Sequence, residues 1–379
     1  MRRIPAFLLI LAGATAPATL GAQSCPPRAV LDSTGARLQR LVDSLARANP
    51  SVSGISLAVI GRGGCVRFEG AAGVADRTTG ERLTPAHTHR IASNTKTYVA
   101  AAVMRLVEEG RLSLDDRIAQ RLSAVHLAAL RRDGYDVDRI TVRHLITHRA
   151  GIYDYAMDDR FVAIALAKPT HRWTRSEQVD SAMVWGAPYG APGEVYHYTD
   201  TGYILLGEMI ERITGQGLAP ALRSLLNFER LQLGATWLES LEPQPATAGP
   251  RAHQYIGPQD TYGFDASVDL YGGGGFVATA MDMARFTRAL LTGQVFRSPA
   301  TLTTMQTTMG SSGAPRIYAA GLSGVRVRDA EGWGHSGFWN TWSYHFPAQD
   351  VTLAASVTEQ TDRTVSRALL EQAAHVVFR

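Results

Sequence analysis

Strand patterns stand at both ends of this chain and helical patterns fill its middle, an order that leaves few folds open. Near the start, residues 28–48 place Leu31, Leu38, Leu41, Val42 and Leu45 on one side of a helix, which Pro50 and Gly54 close. Ile55–Ile60 is strand-like, Gly61-Arg62-Gly63-Gly64 is a turn, and Cys65–Glu69 is a second strand, which predicts a hairpin. After a polar stretch a helix begins behind Ser93, with Val99, Val103, Leu106 and Val107 on its apolar side and Gly110 as its stop. The last third returns to strands at Tyr318–Arg328, Phe338–Phe346 and Val351–Val357. It ends in a helix over about 361–378 that carries Val365, Leu369, Ala373, Val376 and Val377. Strands from both ends around a helical insert predict an α/β part, about 26–110 and 271–379, and a helical part, about 111–270. No internal repeat or low-complexity tract interrupts this plan.

The first 22 residues have the make-up of a secretory signal. Arg2 and Arg3 precede an apolar run from Ile4 to Ala12, and small residues lead to Gly21-Ala22. The run is too short for a membrane span, and nothing later is apolar enough for one. A periplasmic or secreted protein comprising residues 23–379 is therefore expected. Its charge, with Arg2 and Arg3 gone, is 36 arginines and lysines against 34 acids. That near balance, without a basic run interleaved with aromatics, argues against nucleic acid as a partner. Cys25 and Cys65, the two cysteines, are compatible with one disulfide in an exported chain.

Of the 38 basic residues only Lys96 and Lys168 are lysines. Wherever a plain positive charge suffices this chain uses Arg, which cannot release its proton near neutral pH; a desolvated Lys can. Lys96 follows Ser93 by one helical turn, so the two side chains share a face. A serine hydroxyl becomes a nucleophile once a base takes its proton, and the helix start favours the developing negative charge. Ser-x-x-Lys alone is equally compatible with a capping serine and a solvated lysine.

Two further segments add to it. In Tyr198-Thr199-Asp200 a phenol could pass a proton to a leaving group, while Asp200 and Thr201 also suit an ordinary helix cap. In Gly334-His335-Ser336-Gly337-Phe338 the glycines suit a tight turn entering a strand. An edge strand bordering a cleft would instead let the Phe338 amide join the Ser93 amide around an oxyanion. Paired histidines, His144 with His148 and His87 with His89, lack a third ligand, and no metal or cofactor is expected. The run Gly272–Gly275 lacks a following Lys, so it reads as a loop that needs positive φ rather than a phosphate loop.

The ordered motifs Ser-x-x-Lys, Tyr-x-Asp and His-x-Gly resemble those of the serine β-lactamase and penicillin-binding superfamily. The similarity is to the branch that holds class C β-lactamases, D-alanyl-D-alanine carboxypeptidases, D-aminopeptidases and related esterases. Ile140–Gly151 and Gly272–Phe286 are similar to structural segments of that branch. The resemblance implies an α+β fold, with an antiparallel sheet flanked by helices, a mostly helical domain, and the site between them. It implies Ser93 as nucleophile, Lys96, Tyr198 and His335 as catalytic partners, and Asp200, Ser336 and Gly337 along the substrate. Ile152-Tyr153-Asp154-Tyr155 looks like the carboxypeptidase subgroup, where an arginine binds the substrate carboxylate; Arg326 falls at a similar place. Asp200 stands where the family's usual residue is Asn, and Phe338 where that subgroup has a hydroxyl residue. The implied activity is that of an exported serine hydrolase working through an acyl-enzyme, foremost of the D-alanyl-D-alanine carboxypeptidase type, with a β-lactamase or carboxylesterase of the same fold as the alternative. The implied substrates are small molecules or peptides: a peptidoglycan stem peptide, a β-lactam or an ester. A non-catalytic penicillin-binding receptor is the alternative of another class.

Overall fold

The computed structural model describes residues 25–307 and 318–378; the signal-like segment 1–22 lies outside them. From the N-terminus run α1 (Arg28–Ala48), β1 (Gly54–Gly61), β2 (Val66–Gly73), β3 (His89–Arg90) and α2 (Thr95–Glu108). The middle holds α3 (Ala124–Arg132), α4 (Val142–Ile146), α5 (Asp159–Ala167), α6 (Arg175–Trp185), α7 (Asp200–Thr214) and α8 (Leu218–Leu226). Short strands β4 (Trp237–Leu238), β5 (Tyr255–Ile256), β6 (Gln259–Asp260) and β7 (Phe276–Ala278) follow, then α9 (Ala280–Leu291) and α10 (Pro299–Gln306). The chain ends with β8 (Ser323–Val327), β9 (Ala330–Gly337), β10 (Thr341–Phe346), β11 (Val351–Val357) and α11 (Arg363–Val377).

Strands from the two ends form one six-stranded sheet in the order β2-β1-β11-β10-β9-β8, every pair antiparallel. Along β1, Ile55, Leu57 and Val59 enter a core shared with Leu38 and Val42 of α1 and Leu369 and Ala373 of α11. Ala58 and Ile60 join the larger core on the other face, with α2, α7 and α9. Helices thus cover both faces, which is why β1 reads as a continuous apolar run rather than an alternation.

The predicted strand 318–328 shrinks to β8, and β2 runs on to Gly73. The segment 338–346 is not one strand: Phe338–Asn340 is a turn, and β9, absent from the sequence reading, precedes it. Gly334-His335-Ser336-Gly337 is consequently strand rather than turn, and it sits one place in from the edge, which β8 occupies. Among the described residues no helix is long and apolar enough to cross a membrane.

Cys25 and Cys65 are joined, with Cα atoms 5.4 Å apart and a sequence separation of 40. The bridge ties the start of α1 to the β1–β2 connection. Loop-closure entropy for such a span puts its contribution at about 2–4 kcal/mol. Cys65→Ser is expected to lower the unfolding free energy by that amount, read from denaturant midpoints, with little change at the cleft; an unaltered midpoint would refute it.

Candidate active site

Ser93 lies in a single 3₁₀ turn, Ala92–Asn94, that opens directly into α2. Ala92 holds φ at +45°, a left-handed conformation costing an L-residue about 1–2 kcal/mol. The turn is pinned from outside. The Asn94 side-chain amide donates to Ile91 O and to Thr341 Oγ1 (2.9 Å each), and Thr341 Oγ1 donates to Ile91 O at 3.0 Å. β9 is pressed against it: a Cβ on Gly337 would stand 2.3 Å from Ile91 O and 3.1 Å from Ala92 Cβ. Glycine at 337 is therefore what lets the strand pass the Ser93 turn.

Lys96 is fully buried. Its Nζ donates to Ser93 Oγ at 3.0 Å, to Asp200 Oδ1 at 2.5 Å and to Gly273 O at 2.6 Å. Burial alone would push its pKa down, but the Asp200 carboxylate, with Tyr198, outweighs this and holds the ammonium above its usual range. Asp200 therefore faces the site while also occupying the first position of α7, whose cap is Thr199. The Tyr198 phenol hydrogen-bonds with both Ser93 and Lys96; burial keeps it protonated, more than the Lys96 charge can reverse.

His335 reaches the same cluster from β9. Its Nδ1 pairs with Ser336 O at 2.7 Å, which assigns the proton to Nδ1 and leaves Nε2 to accept from Tyr318 OH at 3.2 Å. Burial, then the Lys96 charge, pushes its pKa down to about 3, so the ring is neutral. His148 is also held neutral by burial and the same charge. It packs 4.3 Å from Tyr198 and 4.7 Å from Tyr318, and its Nδ1 accepts from Thr199 N. The other paired histidines work locally: His144 closes the capping box of α4, and His89 meets Ser56 Oγ.

Two expected substrate contacts lie elsewhere. Arg326 on β8 stands opposite Glu331, four positions from His335 and so roughly 13 Å along the strand. Its exposed guanidinium pairs with Glu331 at 2.6 Å, and it does not border the cleft. Ser336 is paired across from Trp342, which packs on the α11 side, so its hydroxyl faces a groove there and only its carbonyl serves the site.

A cleft opens beside Ser93. One wall is apolar, with Phe161, Val162, Ala165 and Leu166 of α5 and the half-exposed Phe338. The other bears carboxylates that sequence reading did not place there. Asp154 accepts from Asp200 N at 2.9 Å; burial, then the Asp200 charge, pushes it up to about 7. Asp269 is pushed up to about 6 for the same reasons. The glycine run makes these approaches possible. A Cβ on Gly273 would stand 3.1 Å from Asp200 Cβ, and one on Gly274 would collide with the Asp269 carboxylate. Gly272 and Gly275 take φ of +125° and +112°, the need that the sequence reading assigned to this loop.

Comparison with known proteins points one way. The family model described as Beta-lactamase matches residues 38–377. Penicillin-binding protein 4 of Amycolatopsis lactamdurans is 29% identical over 81% of this chain and 76% of its own length. Esterase EstB of Burkholderia gladioli is 31% identical, but over 51% of this chain and 49% of the esterase. A crystal structure of a D-stereospecific amidohydrolase from Streptomyces sp. superposes with a TM-score of 0.74, at 27% identity. That match covers 88% of this chain and 97% of the amidohydrolase.

Proposed function

This chain belongs to the beta-lactamase family, and on that footing we propose that it is an exported serine hydrolase cleaving amide or ester bonds through an acyl-enzyme on Ser93. The observation that carries this is the contact set at Ser93: a buried lysine 3.0 Å from its Oγ and a protonated tyrosine bonded to both. In molecules whose Lys96 amine is neutral, Ser93 Oγ attacks the carbonyl carbon and its proton passes to Lys96 Nζ. The Ser93 and Phe338 amides hold the oxyanion, and Tyr198 protonates the leaving group. Water then releases the acyl group by the reverse relay. His335, with both nitrogens engaged, positions Tyr318 and the aromatic wall behind Tyr198. The signal-like N-terminus and the disulfide support export to the periplasm or medium.

The apolar wall of α5 favours substrates with an apolar group beside the scissile bond. A carboxypeptidase acting on D-alanyl-D-alanine termini is less favoured, because Arg326 stands away and the ionisable side chains that line the cleft, apart from Tyr198, are the acids Asp154, Asp200 and Asp269. The esterase and amidohydrolase similarities fit the first reading better.

A fluorophosphonate is expected to label wild-type protein at Ser93 and to leave Ser93→Ala unlabelled. In a panel of p-nitrophenyl esters, D-amino-acid amides, nitrocefin and D-Ala-D-Ala peptides, uncharged apolar esters or amides should turn over fastest. Preference for the free carboxylate peptides would reverse the substrate reading. A labelled penicillin that never leaves would favour the receptor alternative.

A further inference from the structure

Arg363 opens α11, where the helix dipole disfavours a cation. No carboxylate among the described residues forms a salt bridge with it, although its side chain is exposed. Its guanidinium instead grips the β9–β10 turn: Nη1 donates to Gly337 O at 3.2 Å and Nη2 to Phe338 O at 2.7 Å. Asn340 N adds a third bond, to Gly337 O at 3.2 Å. Asn340 is itself fixed by its side-chain amide to Glu359 O at 2.7 Å and Asp362 O at 3.0 Å.

The carbonyl of Gly337 and the N–H of Phe338 belong to one planar trans peptide, so they point in opposite directions. Holding the carbonyl toward α11 fixes the N–H away from it. We propose that Arg363 is a positioning residue for the oxyanion hole, aiming and polarising the Phe338 N–H toward the tetrahedral adduct on Ser93. The inference rests on the hydrolase reading above. A charge-assisted bond to a peptide carbonyl draws electron density from the amide and strengthens its N–H as a donor. Sequence gave no hint of this residue, because its partners are backbone atoms 25 and 26 positions away.

The test uses the full chain, a p-nitrophenyl ester and phenylboronic acid, whose adduct on a serine mimics the tetrahedral state. Deleting an oxyanion donor outright costs about 10²–10³ in kcat. Misaiming one should cost less, so Arg363→Ala is expected to lower kcat about 10–100-fold. Boronate affinity should fall in parallel, KM should hardly move, and added guanidinium ion should recover part of kcat. Arg363→Lys, able to reach one carbonyl, should fall between the two and serves if the alanine variant fails to fold. The inference is overturned if either variant keeps wild-type kcat and boronate affinity. It is also overturned if the loss lies in KM for carboxylate-bearing substrates alone, the mark of direct substrate contact. A wild-type chain that neither reacts with fluorophosphonate at Ser93 nor binds boronate sinks the hydrolase reading and this inference with it.

Discussion

Lys96→Arg is expected to reduce turnover by about 10³-fold, within the range for loss of a positioned general base, while retaining the positive charge. Arginine holds its proton throughout the pH range in which proteins stay folded, so it can satisfy Asp200 and Gly273 O yet never take the Ser93 proton. Neither the nearby histidines nor the tyrosine offers a substitute base. His335 and His148 are neutral but turned to other partners, and Tyr198 is held protonated. Because Lys96 is fully buried, the larger guanidinium will also strain its surroundings. Lys96→Met, of similar size and without a basic nitrogen, separates that strain from the chemistry. Both variants should lose the pre-steady-state release of p-nitrophenol and slow fluorophosphonate labelling while remaining folded by circular dichroism. Near-normal turnover in Lys96→Arg would remove Lys96 from the proton path.

The parts legible from sequence were those encoded within one element. Ser93 and Lys96 are one helical turn apart, so spacing alone sets them on a common face. The amphipathic spacing of α1 and α11 named the residues that cover the sheet. What sequence missed was fixed across the chain. β9, Ala-Glu-Gly-Trp-Gly-His-Ser-Gly, has three glycines and no β-branched residue, so propensity argues against a strand. It is a strand because β10 and β8 pair with it on either side. Its glycines belong to packing: Gly337 clears the Ser93 turn, and a Cβ on Gly334 would meet Ser343 O at 1.9 Å. Arg326 was misplaced because position along a strand, not order in the chain, decides reach. Tyr318, read as the start of a strand, makes only an isolated bridge to Ser323, and Asp269 closes a short 3₁₀ turn, Ala266–Asp269, that the sequence reading did not predict.

The orientation of Asp200, which sequence left open, generates the second large effect. Its carboxylate lies 2.5 Å from Lys96 Nζ and, with Tyr198, raises the lysine against the opposing pull of burial. The base form is the neutral amine, so the acylation rate should climb as pH rises toward the pKa of Lys96. A neighbouring opposite charge shifts such a group by about 1–3 units. In Asp200→Asn the charge is gone and burial remains, so the pKa of Lys96 falls. The rising limb of kcat/KM should move to lower pH by about 1–3 units. On the limb each unit is tenfold in the neutral fraction, so the rate near pH 7 should rise about 10-fold or more before any loss from altered geometry. An asparagine would also present an NH₂ donor to a substrate carbonyl, which should raise amide and β-lactam turnover relative to esters. The α7 cap, Thr199, and the Asp200 N–H bond to Asp154 are kept, but removing the counter-charge of a buried lysine should lower stability near neutral pH by about 1.4 kcal/mol for each unit that its pKa falls. The measurement is kcat/KM from pH 5 to 10 for one ester and one amide in both proteins. A limb that stays in place would mean that Asp200 does not set the charge on Lys96. A limb that moves to higher pH would mean that the carboxylate itself, and not the lysine, receives the Ser93 proton.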